Sequence, residues 1–305
     1  MELSTEFKQK VWGAMMEARQ NFGGADKAFA QTLDIHYSVF SRLQGGYKDR
    51  LLSDAEWIDK GRRLNVSMYH SNWKIAKTEV YLQMEENFHF CQKNQASMVL
   101  VDDCGIGKTY CAQIIIKKMK NAFYIDCSQY KTKRSFINAL ANIVGCGSNG
   151  KYSEVLANLK YYINLLEKPF ICIDEAGDLD YSALLELKGL INGTNCSWYM
   201  IGADGLKAKI NKGIRNEKVG FAEIFSRFSD DFVTLVPMNK EKRIDFYKKL
   251  IYDVSFVNVN NKDKIPELIA KCIVKLQPKN RKTTEDENKI KSLRYLKTAI
   301  QVIEA

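Results

Sequence analysis

The stretch SMVLVDDCGIGKTYCAQIIIKK, residues 97–118, constrains this chain more than any other. A short apolar run at 98–101 enters a turn-prone segment that ends in Gly107. Lys108 and Thr109 follow at once, and then a helical pattern with Ile114 and Ile115 on its apolar side. Strand, glycine-bearing loop and helix in that order make a phosphate cradle. Backbone N–H groups of the loop and first helical turn converge on an anion, the lysine adds a mobile charge, and the threonine hydroxyl can ligate Mg²⁺. The candidate nucleotide-binding residues are Asp103, Cys104, Gly105, Ile106, Gly107, Lys108, Thr109 and Tyr110, with Thr109 also a candidate metal ligand. Asp102 stands where a P-loop ordinarily has its first glycine, and a carboxylate there is tolerable beside phosphates only if it points away.

A second motif, PFICIDEAGDLD at 169–180, strengthens this reading. Its apolar run has the character of a buried strand of a parallel sheet and delivers Asp174 and Glu175 at its carboxyl end, where ligands of such sheets bind. Asp174 is the expected Mg²⁺ ligand and Glu175 the residue expected to polarise an attacking water.

A chain of 305 residues with 46% apolar content has room for a nucleotide-binding core and a smaller module. No apolar run reaches membrane-spanning length, and MELSTEFKQK lacks the apolar segment of a signal peptide, so the expectation is a cytoplasmic protein without a membrane partner. Eight cysteines without C-x-x-C spacing and three scattered histidines build no zinc site, and the cysteines read as reduced core thiols. The formal net charge of +10 is concentrated at the C-terminus, where residues 239–305 carry 16 Lys and Arg against 9 Asp and Glu. That excess is consistent with a polyanionic partner.

Along the chain, residues 5–22 show helical spacing that stops at Gly23 and Gly24. ADKAFAQTLDIHYSVFSRLQGG, residues 25–46, reads as a short helix, a turn and a second helix, with small Ala30 at the crossing, apolar Ile35 in the turn and polar Ser38, Ser41 and Arg42 outward. This resembles the helix-turn-helix of phage repressors, whose second helix meets DNA; a small helical bundle that contacts protein is the other reading. One more helix at 51–64 and a linker at 65–73 complete an N-terminal module. A helical stretch at 74–94 leads into the P-loop strand.

Further strands are expected at 122–125, 170–173, 197–204 and 232–236. After the second of the five strands, Lys131, Thr132, Lys133 and Arg134 form a cationic loop beside Tyr130 and are the candidate DNA contacts, expected to outweigh the N-terminal helices. Asp204 stands where a γ-phosphate-sensing polar residue is expected. A loop bearing Lys207, Lys209, Lys212, Arg215 and Lys218 follows, and residues 239–305 read as a mainly helical lid with a polar stretch at 278–289.

The order of these motifs resembles the AAA+ ATPase family over residues 74–305. The resemblance implies an α/β fold, a P-loop AAA+ parallel sheet with a helical lid, preceded here by a small all-α helix-turn-helix domain. The expected divisions are 1–66, 74–238 and 239–305. It further implies ATP and Mg²⁺ as cofactors, Arg227 in SRF as a catalytic finger on a neighbouring subunit's nucleotide, and Arg294 in SLRYLKTAIQVI as a second nucleotide sensor. Helix-turn-helix followed by one small AAA+ module is most similar to the phage Mu B and insertion-sequence helper type. Such a protein is expected to bind double-stranded DNA without strong sequence preference, to oligomerise with ATP as a ring or helical filament, and to activate a transposase. A helicase loader and a nucleotide-gated transcription regulator are the alternatives.

Overall fold

The structure, a computed structural model, describes residues 3–64, 66, 73–275 and 288–304. Four helices open the chain: α1 (Thr5–Asn21), α2 (Asp26–Thr32), α3 (Tyr37–Gln44) and α4 (Asp54–Arg63). α1 is N-capped by Ser4, and α4 by a full capping box in which Ser53 and Glu56 satisfy each other's backbone N–H groups. Phe7, Val11 and Met15 on one side of α1 pack with Phe29, Phe40, Leu43 and Trp57. Ala30 is buried where α2 meets α3, and buried Ile35 donates its N–H to the Ala30 carbonyl at 2.9 Å, closing the turn. The expected linker at 65–73 lies outside the described residues except for Val66 and Trp73.

The sheet follows. α5 (Glu79–Asn94) leads to β1 (Met98–Val101), α6 (Lys108–Lys118), β2 (Ala122–Asp126), α7 (Lys133–Val144), α8 (Tyr152–Leu165), β3 (Phe170–Asp174), α9 (Tyr181–Gly193), β4 (Ser197–Gly202), α10 (Asp204–Arg215), α11 (Phe221–Arg227) and β5 (Phe232–Val233). All neighbouring strands are parallel, in the order β2-β3-β4-β1-β5. Alternate residues of each strand serve opposite faces. Val99, Ile171, Ile173, Trp198 and Met200 pack with α7, α8, α9 and the N-terminal helices, whereas Leu100, Phe170, Cys172, Tyr199 and Ile201 pack with α5 and α6. The N-terminal helices therefore share one core with a face of the sheet. Phe22 meets Phe123 edge-on at 6.3 Å, and Asn121 donates its N–H to the Asn21 carbonyl at 2.9 Å.

The C-terminal unit comprises α12 (Lys240–Asn258), α13 (Ile265–Cys272), β6 (Ile273–Lys275), β7 (Asn288–Ile290) and α14 (Leu293–Glu304). Its own small core joins Ile251, Val254, Leu268, Leu296 and Ile300. The antiparallel β6–β7 pair was not expected from the sequence, and most of the polar stretch expected at 278–289 lies outside the described residues. Among the described residues no helix is long and apolar enough to cross a membrane.

Three expected elements differ. The cation-rich loop after β4 is the helix α10: Leu206, Ile210 and Gly213 are buried at helical spacing between the lysines, and Asp204 adds an acid to its first turn. The fifth strand stops at Val233, because the N–H groups of Leu235 and Val236 turn to a side chain instead of a neighbouring strand. The helix expected from residue 74 starts at Glu79, capped by Thr78, and leaves 73–78 without regular secondary structure.

Candidate nucleotide site

The site lies at the carboxyl ends of β1, β3 and β4. Gly105 (φ 78°) and Gly107 (φ 100°) take backbone conformations that L side chains rarely adopt, and a Cβ on Gly105 would sit 2.4 Å from that of Ser292. The sequence therefore needs glycine there both to bend the loop and to let the lid approach. Gly107 leads directly into α6, whose first residues are Lys108 and Thr109. Lys108 Nζ donates to the Asp102 and Asp103 carbonyls, each at 2.7 Å. Burial pushes its pKa below the usual lysine value, with nearby Asp102, Cys104, Asp174 and Glu175 opposing.

The non-glycine at 102 has a structural reason. The Asp102 side chain is buried, and its Oδ2 accepts the N–H of Val236 at 2.9 Å and that of Leu235, while Oδ1 accepts the Asp103 N–H at 2.7 Å. The carboxylate is thus spent on the loop after β5. The Asp103 carboxylate is similarly engaged, by Arg243 and Tyr247 of α12.

β3 is buried along its whole length and presents Asp174, 2% exposed, with Glu175 next to it. Asp174 Oδ1 accepts the Glu175 N–H at 2.9 Å and Oδ2 the Tyr124 hydroxyl at 2.8 Å. Glu175 adopts the left-handed region (φ 49°), which a non-glycine residue keeps only when its surroundings impose it. Here Lys209 of α10 donates to the carbonyls of Gly177 and Leu179, and Asp180 donates its N–H to the Lys131 carbonyl at 2.8 Å. Burial, followed by the charges of Asp174, Asp178 and Asp126, raises the Glu175 carboxyl above the ordinary range.

One cavity gathers Cys104 to Tyr110, Asp174, Glu175, Ala203 and, from the lid, Arg294. Two expected cofactor residues fall outside its lining. Asp103 turns its side chain to α12, and Asp204 is exposed at the start of α10, so the residue at the strand end that faces the cavity is the apolar Ala203. Arg227 lies exposed at the end of α11, also outside the lining. Cys104 is an exposed thiol on the loop, which corrects its reading as a core residue; Cys91, Cys111, Cys127, Cys172, Cys196 and Cys272 are buried. Sequence reading missed the wall formed by Trp73, Ile75 and Ala76, together with Lys297 of the lid. Trp73, Ile75 and Ala76 belong to no short motif, and Lys297 stands three residues after Arg294 in the lid stretch already singled out.

The donor set suits a small hard cation. Asp174 and Thr109 offer oxygen ligands, and among the described residues no group of three His, Cys, Asp or Glu could hold a metal by itself. An ion there would complete its shell from nucleotide oxygens and water, the habit of Mg²⁺.

The expected DNA contacts are differently placed. Lys133 and Arg134 are the first two residues of α7 and Thr132 is its N-cap, bonded reciprocally with Ser135. Lys131 pairs with Asp178 at 2.8 Å, and Lys133 with Glu186 at 2.9 Å while lying 4.9 Å from the Tyr152 ring centroid. Arg134 is exposed.

A parallel five-stranded sheet with a glycine-bearing loop after β1, an Asp-Glu pair ending β3 and a helical lid over the loop make up the α/β P-loop AAA+ fold. Residues 91–210, from the end of α5 into α10, match the family model described as AAA domain. None of the curated proteins matches the chain. Among solved structures, the chain is similar to NtrX from Brucella abortus, crystallised in complex with ATP. The identity is 13% and the TM-score 0.41, over 87% of this chain and 62% of that one. The chain thus spans less than two thirds of the NtrX chain's length.

Proposed function

We propose that this protein is an ATPase that uses ATP and Mg²⁺ to assemble on double-stranded DNA and presents that DNA to a transposase. The observation that carries the ATPase reading is the convergence of Lys108, Thr109, Asp174, Glu175 and Arg294 on one cavity, from two strand ends and the lid. Loop N–H groups and Lys108 would hold the phosphates, and Glu175 would orient the attacking water. Thr109 and Asp174 would hold Mg²⁺, which neutralises phosphate charge when bound. Arg294 reaches the nucleotide from the lid, and the exposed Arg227 is free to meet the nucleotide of an adjacent copy.

The DNA and transposase part rests on domain order, a helical module with a two-helix turn ahead of one ATPase core and lid. Contact with duplex is shared between two surfaces. Arg134 leads the first, although Lys131 and Lys133 are engaged with Asp178 and Glu186. The second is α3, where Ser38, Ser41, Arg42 and Gln44 are exposed while Phe40 and Leu43 hold the core. This exposed face also favours the alternative, a nucleotide-gated regulator that reads one operator. Footprinting with ATP decides. Uniform protection of random duplex supports the proposal, and a single protected site overturns it in favour of the regulator. Capture of a replicative helicase without duplex binding would point to a loader.

A further inference from the structure

Tyr124 interrupts an apolar strand. Its neighbours Ala122, Phe123 and Ile125 pack into the two sheet cores, and a phenylalanine at 124 would serve that packing equally well. What the tyrosine adds is a hydroxyl that donates to Asp174 Oδ2 at 2.8 Å and is hydrogen-bonded by the Gln113 side chain. Gln113 stands one helical turn after Thr109 on α6, and both line the nucleotide cavity. The other Asp174 oxygen is held by the Glu175 N–H at 2.9 Å. One donor on each oxygen leaves the buried carboxylate little freedom to rotate about its Cβ–Cγ bond, so its remaining lone pairs keep fixed directions.

We propose that Tyr124, oriented by Gln113, is a positioning residue for Asp174 and sets how that carboxylate faces a nucleotide-bound Mg²⁺. The inference rests on the Mg²⁺–ATP reading above. Hydrogen bonds to a metal ligand orient it and tune its basicity, and their loss typically costs about 10- to 100-fold in metal affinity or activity. Through Gln113, which stands one turn from Thr109 on α6, Tyr124 also links Asp174 to the element that carries the other candidate metal ligand.

The test titrates Mg²⁺ against binding of a fluorescent ATP analogue to the 305-residue chain. Tyr124→Phe should bind nucleotide in EDTA as the wild type does, yet need about tenfold more Mg²⁺ to reach half of the Mg²⁺-dependent change. Gln113→Met should shift the midpoint the same way by less, and it carries the test if Tyr124→Phe fails to fold. Equal midpoints in wild type and variants overturn the proposal and leave the ATP reading standing. An affinity loss of equal size with and without Mg²⁺ reveals a packing role and also overturns it. Nucleotide binding by the wild type without any Mg²⁺ response removes Asp174 as a ligand, and the proposal with it. Failure of the folded wild type to bind nucleotide at all overturns the ATP reading itself.

Discussion

Arg243, in the first turn of the lid helix α12, is ion-paired with Asp103 of the phosphate loop, and Tyr247 one turn further donates to the same carboxylate. At the lid's other end, Leu293 donates its N–H to the Gly105 carbonyl at 2.9 Å. The loop is thus gripped by both α12 and the start of α14, so any lid movement is transmitted to the residues that would hold phosphate. The Arg243–Asp103 pair is partly exposed, and such pairs contribute only about 0–1 kcal/mol to stability. Arg243→Ala should therefore leave thermal unfolding nearly unchanged while nucleotide dissociates several-fold faster in stopped-flow. A wild-type dissociation rate would show that the grip has no bearing on binding.

Asp102 should behave as a structural residue. Replacing it with alanine, or with the glycine usual in such loops, strips the acceptor from the buried N–H groups of Leu235 and Val236. Each buried donor left unpaired costs roughly 1–3 kcal/mol. Asp102→Asn keeps one acceptor oxygen and should cost less. Denaturant midpoints that place Asp102→Gly at or above the wild type would contradict this account.

Lys108→Ala and Glu175→Gln should separate binding from chemistry. The first removes the only cation among the cavity-lining residues 104–110, and should abolish ATP binding in equilibrium titration. The second keeps the shape of Glu175 but not its charge, and should bind ATP while losing turnover. Wild-type hydrolysis by Glu175→Gln would remove that residue from the mechanism.

Arg227, exposed and outside its own chain's cavity, should act across a subunit boundary. Fingers of this kind are worth about 10³ to 10⁵ in rate. Arg227→Ala alone should be inactive, and mixing it with Lys108→Ala should restore part of the activity, since each variant spoils a different half of a shared site. Mixed oligomers that show no recovery at any ratio would rule out a site completed in trans.

The phosphate loop and the acid-bearing strand were legible in the sequence because their chemistry is local. Glycine at 105 and 107, Lys108 and Thr109 dictate a cradle wherever the chain places it. The buried run ending in Asp174 and Glu175 likewise states its own strand and where that strand ends. The apolar spacing of α1 and the small-and-apolar pattern around Ala30 and Ile35 were readable for the same reason. Lysines misled where they interleave a buried stripe, as in α10. A strand expected through residue 236 was cut short by a partner that spacing cannot reveal.

Tertiary structure alone decided what the charged side chains do. Asp102 finds its N–H donors 133 and 134 residues away, and Asp103 finds Arg243 140 residues away. Lys131 and Lys133, cations in the sequence, are neutralised by Asp178 and Glu186 from a neighbouring segment. Tyr124 reaches Asp174 only because β2 lies beside β3, and Gln113 reaches Tyr124 because α6 packs against β2. A short motif specifies backbone shape and residue type, both properties of contiguous chain. The direction in which a carboxylate or ammonium group points depends on which partner the fold brings within about 3 Å, the reach of a hydrogen bond.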